Sequence, residues 1–159
     1  MYLFSPFLIR LFLCYNIAMF DHIMVVHFMD GRIMKGFGSV ISPGEAVMEL
    51  KDLEEKIHWV ELSQVKGVFY VRSFEGSRHK TRSTATNWNP SAGHRVRVTF
   101  KDGEILDGFV NDASRLVSVP GFYVVPLDPA SNNYRMYLNR AAVEQVHHIL
   151  NQIEEKRII

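Results

Sequence analysis

The chain holds one cysteine, Cys14, so neither an internal disulfide framework nor a cysteine-rich zinc site is open to it. It has little excess charge of either sign. Eighteen Lys and Arg stand against seventeen Asp and Glu, for a formal net charge of +1. A global field that pulls nucleic acid or an anionic membrane is therefore missing. Catalytic signatures are missing as well. The seven histidines (His22, His27, His58, His79, His94, His147 and His148) show no metal-ligand spacing. No Walker loop occurs, no dinucleotide glycine motif and no glycine elbow around a serine. These absences point to a protein that is not an enzyme and that needs neither metal nor cofactor.

What is present is apolar and aromatic. At 159 residues, 47% hydrophobic and 12% aromatic, the chain can bury the core of one domain or of two very small ones. Met1 to Phe20 is almost wholly apolar, close to the ~20 residues a helix needs to cross a bilayer. Arg10 and Pro6 interrupt it, and no basic residue precedes it. Residues 1–22 therefore read as a hydrophobic extension. They are expected to be a mis-assigned start, with translation beginning at Met19 or Met24, a strand or helix that packs on the folded body, or a membrane-spanning or signal segment. The expected location is the cytoplasm, with membrane association if residues 1–20 are retained.

From Met24 the pattern changes to period two, the mark of a strand. Met24, Val26 and Phe28 alternate with Val25, His27 and Met29, followed by Asp30-Gly31 and Arg32 to Phe37. The phrase returns at Val96 to Phe109, where Phe, Asp, Gly, Ile, Gly and Phe recur in register. Asp-Gly between alternating runs predicts a type I′ hairpin. Gly36 and Gly108 inside the second strand predict a sharp bend. Each copy also closes alike, His58 to Val68 in the first and Tyr137 to Val146 in the second, with Val65 matching Val143 and Val68 matching Val146. A further apolar run lies between, Ala46 to Leu50 and Phe122 to Leu127.

Five short strands per copy leave raw edges unless the sheet closes, so two tandem five-stranded barrels are expected. The first spans 23–72 and the second 95–150, with a polar linker at 73–94. The tail, 151–159, is expected to be a short helix or a frayed end. Gly44 to Glu61 carries six acids and two lysines, whereas Arg72 to Arg95 carries five basic residues and one acid.

Arg97 to Glu104 with Gly108 resembles the opening motif of the Sm-like superfamily of small barrels. Residues 94–150 are also similar to an uncharacterised bacterial domain of unknown function found in signalling and motility-associated proteins. The matching stretches are the Asp102-Gly103-Glu104 hairpin, Pro120-Gly121-Phe122, Pro126 to Asn133, and Asn139 to Val143. Residues 23–71 are a diverged copy without the Pro-Gly-Phe and Ser-Asn-Asn elements. The resemblance implies an Sm-like or SH3-like barrel and a non-catalytic interaction or assembly module, with a protein partner or self-association.

Two alternatives carry residues of their own. Arg95, Arg97, Arg135, Arg140 and Tyr134 could line a rim for single-stranded RNA. Arg78 and Arg82 spell R-x-x-x-R, and Asp112 with Ser114 follows, which is similar to half of the cyclic di-GMP signature of PilZ barrels. The glycine that should close that signature is absent. Trp88 in the linker has no obvious core role and is a candidate anchor for a partner. Asn132 and Asn133 suit either a ligand edge or a turn. The expected binding residues are thus Trp88, Arg97, Asn132, Asn133, Tyr134, Arg135 and Arg140.

Overall fold

In the computed structural model, described over residues 20–76, 93–149 and 155–158, the chain is all-β. The first repeat gives β1 (His22–Phe28), β2 (Ile33–Gly38), β3 (Val47–Asp52), β4 (Ile57–Glu61) and β5 (Val65–Val71). The second gives β6 (His94–Phe100), β7 (Ile105–Val110), β8 (Gly121–Pro126), β9 (Asn133–Asn139) and β10 (Val143–Ile149). A short β11 (Glu155–Arg157) follows where the sequence suggests a helix or a frayed end. That expectation is corrected: β11 pairs with the last residues of β10, and Ile158 donates its N–H to the Val146 carbonyl at 2.7 Å.

The hairpins explain themselves locally. Gly31 and Gly103 hold positive φ, whereas Asp30 and Asp102 do not. The turn is therefore not the expected type I′, which needs positive φ at both centres. The Gly31 N–H reaches Phe28 O, the Phe28 N–H reaches Arg32 O, and the second repeat does the same with Gly103, Phe100 and Glu104. One glycine in the left-handed region after a tight turn is the three-residue hairpin with a bulge. Each aspartate accepts a hydrogen bond from the backbone N–H two residues on, Arg32 at 3.0 Å and Glu104 at 3.1 Å. Asp is favoured at this position for that reason.

The bend lies where the glycines put it. β2 pairs with β1 along its whole length but with β3 only at Gly36 and Phe37. β7 repeats this with β8 at Gly108 and Phe109. A Cβ at Gly36 would run into the Lys51 carbonyl, and one at Gly108 into Val124 and the Val125 carbonyl. The next strand can cross this closely only over a bare backbone.

The strand order is β11-β10-β6-β7-β8-β9-β5-β1-β2-β3-β4, a single antiparallel sheet through both repeats. The sequence leads one to expect two sheets, each curled until its own ends meet. Instead, β5 joins β9 across the repeats, because each lies at the edge of its own five strands and leaves main-chain groups to pair. Two separate cores remain. One gathers Met24, Val26, Leu50, Val65, Val68 and Tyr70; the other gathers Val96, Val98, Phe100, Val124, Val143 and Val146. Among the described residues no helix is long and apolar enough to cross a membrane. The expectations for residues 1–19 lie outside the described residues.

Replacing Gly36 or Gly108 by alanine is expected to destabilise the fold by about 2 kcal/mol, because backbone must move to admit the methyl. Urea midpoints that fall at unchanged slope would record it.

Candidate functional site

The region that brings most chemistry together is the joint between the repeats. Its spine is the β5–β9 ladder, with Gly67 opposite Leu138, Val68 opposite Tyr137, Phe69 opposite Met136 and Tyr70 opposite Arg135. Side chains cross it in both directions. Tyr137, 6% exposed, belongs to the core of the first repeat, and Phe69 packs against the core of the second. Alternation along a strand makes this possible, since neighbours on β9 face opposite sides. Thus Tyr137 goes one way while Met136 and Leu138 go the other.

A tyrosine network ties the same joint from above. Tyr123 Oη donates to Ile41 O at 2.8 Å, and Tyr70 Oη lies 3.2 Å from Tyr123 Oη. The Ile41 N–H donates to Tyr70 Oη at 3.1 Å. Burial pushes the hydroxyls of Tyr70, Tyr123 and Tyr137 above the ordinary tyrosine range. They therefore stay neutral, and those of Tyr70 and Tyr123 serve as structural hydrogen-bonding groups rather than as bases. Gly121 lies directly under the Tyr137 hydroxyl, where a Cβ would collide with it.

Asn139 ends β9 and is the one polar residue among the described residues that is fully withdrawn from solvent, at 6% exposure. Its Nδ2 donates to Leu62 O at 2.8 Å, and its Oδ1 accepts from the Ala141 N–H at 2.9 Å. One side chain thus caps the turn of its own repeat and holds the equivalent turn of the other. On a further side, Lys66 of β5, 13% exposed at its side chain, reaches the hairpin of the second repeat. It pairs with Asp102 at 2.6 Å and with Glu104, and its ammonium lies 4.5 Å from the Phe100 ring centre. Burial by itself would lower the Lys66 ammonium, but hydrogen bonds to the two carboxylates outweigh it and hold it above the ordinary range. The Lys66 hydrogen bond in turn holds Asp102 below the usual carboxylate range.

Two clefts open beside this joint. One, of about 840 Å³, is lined by Glu45, Glu61, Lys101, Tyr137, Asn139 and Arg140 among others. The second, of about 470 Å³, runs between Ile41, Pro43, Phe109, Tyr123 and Arg135. Their charges are mixed. Among the described residues no group of three or more His, Cys, Asp or Glu is placed to hold a metal ion. The chemistry on offer is shape, apolar surface and free backbone.

The residues singled out from the sequence scatter round this joint. Arg97 on β6 is held by Asp107 on β7 through two bonds, at 2.8 and 2.9 Å. Asn132 exchanges hydrogen bonds with the Ser73 backbone, at 3.2 and 3.0 Å, and so fastens the β8–β9 loop to the end of β5. The Asn133 N–H bonds Ser131 Oγ. Tyr134 Oη bonds His22 Nδ1 at 2.7 Å, and the Arg135 guanidinium sits 5.3 Å from the Tyr123 ring centre. Arg140 reaches Val143 O at 3.3 Å and lines the larger cleft. Asp112 accepts from Ser114 at both its N–H and its hydroxyl, as the cap of a single helical turn. Trp88, Arg78 and Arg82 lie outside the described residues. Sequence reasoning does not single out Lys66 or Ile41, and Asn139 and Tyr137 enter it only as the ends of matched stretches. Only the second repeat's similarity motif touches Asn139.

Two outcomes are expected of the joint. Asn139→Ala leaves the Leu62 carbonyl and the Ala141 N–H without their partner, at a cost of about 2 kcal/mol in chemical denaturation. The pH dependence has a definite sign. Asp102 is depressed in the fold, so its contribution is present above the unfolded aspartate pKa of about 4 and is lost as pH falls through the folded value. Lys66→Met removes that contribution. The acid limb of a stability–pH curve is then shallower in Lys66→Met than in the parent chain.

No curated protein and no solved structure matches the chain. A family model does, and it runs through both repeats rather than through the second alone. Over residues 21–150 it matches that of a family of unknown function, DUF6982, and the chain belongs to this family.

Proposed function

We propose that the chain is a non-catalytic interaction and assembly module, built as two bent five-stranded repeats of Sm-like or SH3-like kind left open at their edges, which works by adding strands edge to edge. The resemblance to domains of signalling and motility proteins suggests its setting. One observation carries the reading: the repeats are themselves joined by strand addition, β5 to β9, with an aromatic side chain crossing in each direction. Strand addition takes affinity from main-chain hydrogen bonds and specificity from alternate side chains. The joint has both.

The opposite end of the sheet, β4, carries the same equipment and has no neighbouring strand among the described residues. Trp59 is 70% exposed there, with Ile57 and Val47 also exposed beside it. An exposed tryptophan among smaller apolar groups on an edge strand is the usual anchor of a protein contact. RNA binding has less to stand on. Arg97 is engaged by Asp107, and Arg135 lies against Tyr123. The cyclic di-GMP reading loses Asp112 and Ser114 to a local cap.

Selecting displayed random peptides on the full chain tests the proposal. The expected binders are extended sequences with alternating apolar residues, and Trp59→Arg weakens them about tenfold or more. Recovered binders that are indifferent to Trp59→Arg would remove the β4 edge from the reading. So would recovery of no binders.

A further inference from the structure

The joint sets the fifth strand of the first repeat against the fourth of the second, so it is heterologous and its two sides differ. The larger cleft, of about 840 Å³, is lined from both sides. Its four charged groups divide by repeat. Glu45, in the β2–β3 loop, and Glu61, at the end of β4, come from the first. Lys101, in the β6–β7 hairpin, and Arg140, at the start of the single turn after β9, come from the second. None of the four forms an ion pair with another or with any further described residue. Opposite charges thus line one cleft without neutralising each other.

We infer that this cleft binds a small zwitterion, an ammonium and a carboxylate on one short frame, as in a free α-amino acid or a dipeptide with an apolar side chain. Glu45 and Glu61 take the ammonium, and Arg140 and Lys101 take the carboxylate. The inference goes beyond the strand-adding reading and does not depend on it.

Three observations carry it. First, the fold does not ask for these charges. Main-chain bonds fix which positions of the two repeats are equivalent. The Leu62 N–H reaches Ala46 O as the Arg140 N–H reaches Pro120 O, and the Met29 N–H reaches Gln64 O as the Lys101 N–H reaches Ala142 O. At the position of Arg140 the first repeat therefore holds Leu62, which is buried, and at the position of Lys101 it holds Met29. By the same alignment the second repeat holds Val119 in place of Glu45 and Asn139 in place of Glu61. The same backbone is built without any of the four.

Second, hydrogen-bonding capacity is left over. Arg140 Nε is buried and makes no hydrogen bond among the described residues, while Nη1 reaches Val143 O at 3.3 Å. A guanidinium N–H withdrawn from water and unpaired is costly, and a carboxylate is the partner that suits it best. Glu45 and Glu61 are each engaged through Oε2 alone, with the Ser42 N–H at 2.9 Å and the Gln64 amide at 3.0 Å. Tyr137 belongs to the same lining, and its hydroxyl has no hydrogen-bond partner among the described residues. Those of Tyr70, Tyr123 and Tyr134 are all bonded.

Third, size and lining suit a small molecule. Such sites run from about 300 to 1,000 Å³ and are mostly apolar, with a few placed polar groups. Ala46, Val47, Leu62, Pro120 and Ala141 supply the apolar part. A nucleic-acid strand meets Glu45 and Glu61, which repel its phosphates. A lone anion or a lone cation satisfies one pair of charges and is opposed by the other. A zwitterion answers both pairs at once.

Calorimetry on the full chain, from micromolar to millimolar ligand, tests this with l-phenylalanine and l-leucyl-l-phenylalanine, each also as its N-acetyl and its amide derivative. The tighter of the two parents tells a single amino acid from a dipeptide. Each derivative lacks one charge and binds about tenfold or more weakly than its parent. Variants then assign the walls. Glu61→Gln weakens the parent about tenfold and leaves the N-acetyl derivative as it was. Lys101→Gln and Arg140→Gln weaken the parent as much and leave the amide as it was. Glu61 and Lys101 are exposed, so each wall has a variant that keeps the fold, and thermal melts verify it.

Neither heat nor a rise in melting temperature with either parent overturns the inference. An N-acetyl derivative that binds as tightly as its parent overturns it too, since the cleft is then a site for anions alone. An amide as tight as its parent makes it a site for cations alone, and the inference falls in the same way. So does it if binding is indifferent to all three variants, which places the ligand elsewhere on the molecule.

Discussion

The β5–β9 ladder is the interaction on which the rest depends. Each repeat by itself is five short strands over a core of about a dozen buried residues, a size at which burial barely offsets chain entropy. Joining the repeats by main-chain bonds satisfies one edge of each at once, and it closes a tyrosine cluster that neither repeat holds alone. Tyr137 completes the first core, while Phe69 seals the second. The repeats are thus mechanically one body, although their apolar interiors stay separate.

Buried polar groups follow from the same constraint. Where two turns meet at the joint, carbonyls of one face the backbone of the other, and water cannot reach them. Asn139 resolves this with a single side chain, because an amide donates and accepts together. The tyrosine hydroxyls do the same for Ser39 and Ile41, with Tyr70 Oη donating to Ser39 O at 3.3 Å. Lys66 is a different solution. It sets its ammonium over the Phe100 ring and against Asp102 and Glu104, and these two carboxylates offset the solvation that burial removes.

Legibility from the sequence follows the range of the interaction. The hairpins, the bends and the closing strands are local events, and Gly31 and Gly36, with Gly103 and Gly108, announce the first two. Val65 with Val143 and Val68 with Val146 are found buried as matched pairs. The pairing of β5 with β9 has no local signal. Nothing near Val68 specifies Tyr137, because an edge strand accepts any strand of the right alternation. Lys66 and Asp102 lie far apart in the chain, and a lone lysine among alternating residues reads as solvated surface. The turn type is missed for a subtler reason. Asp-Gly serves two hairpin geometries, and a three-residue loop differs from a two-residue one only by register.

A heterologous joint repeated once in a chain has a geometric consequence that a symmetric joint avoids. A symmetric pair of repeats uses up the same edge on both and leaves none that fits. Here one edge of each kind is left over, so the molecule must manage both. It treats them unequally. β10 is covered by β11 and by Ile158, which packs against the second core. Among the described residues β4 has no such cover. Its protection lies in brevity, and in the hairpin beside it, where His58 meets Asp52 at 2.6 Å and Glu54 holds Lys56. Brevity limits the number of main-chain bonds any partner can gain, so binding there leans on side chains. On β4 the side chain with most area to offer is Trp59, and it stands where the other repeat places the tyrosine that binds the two together.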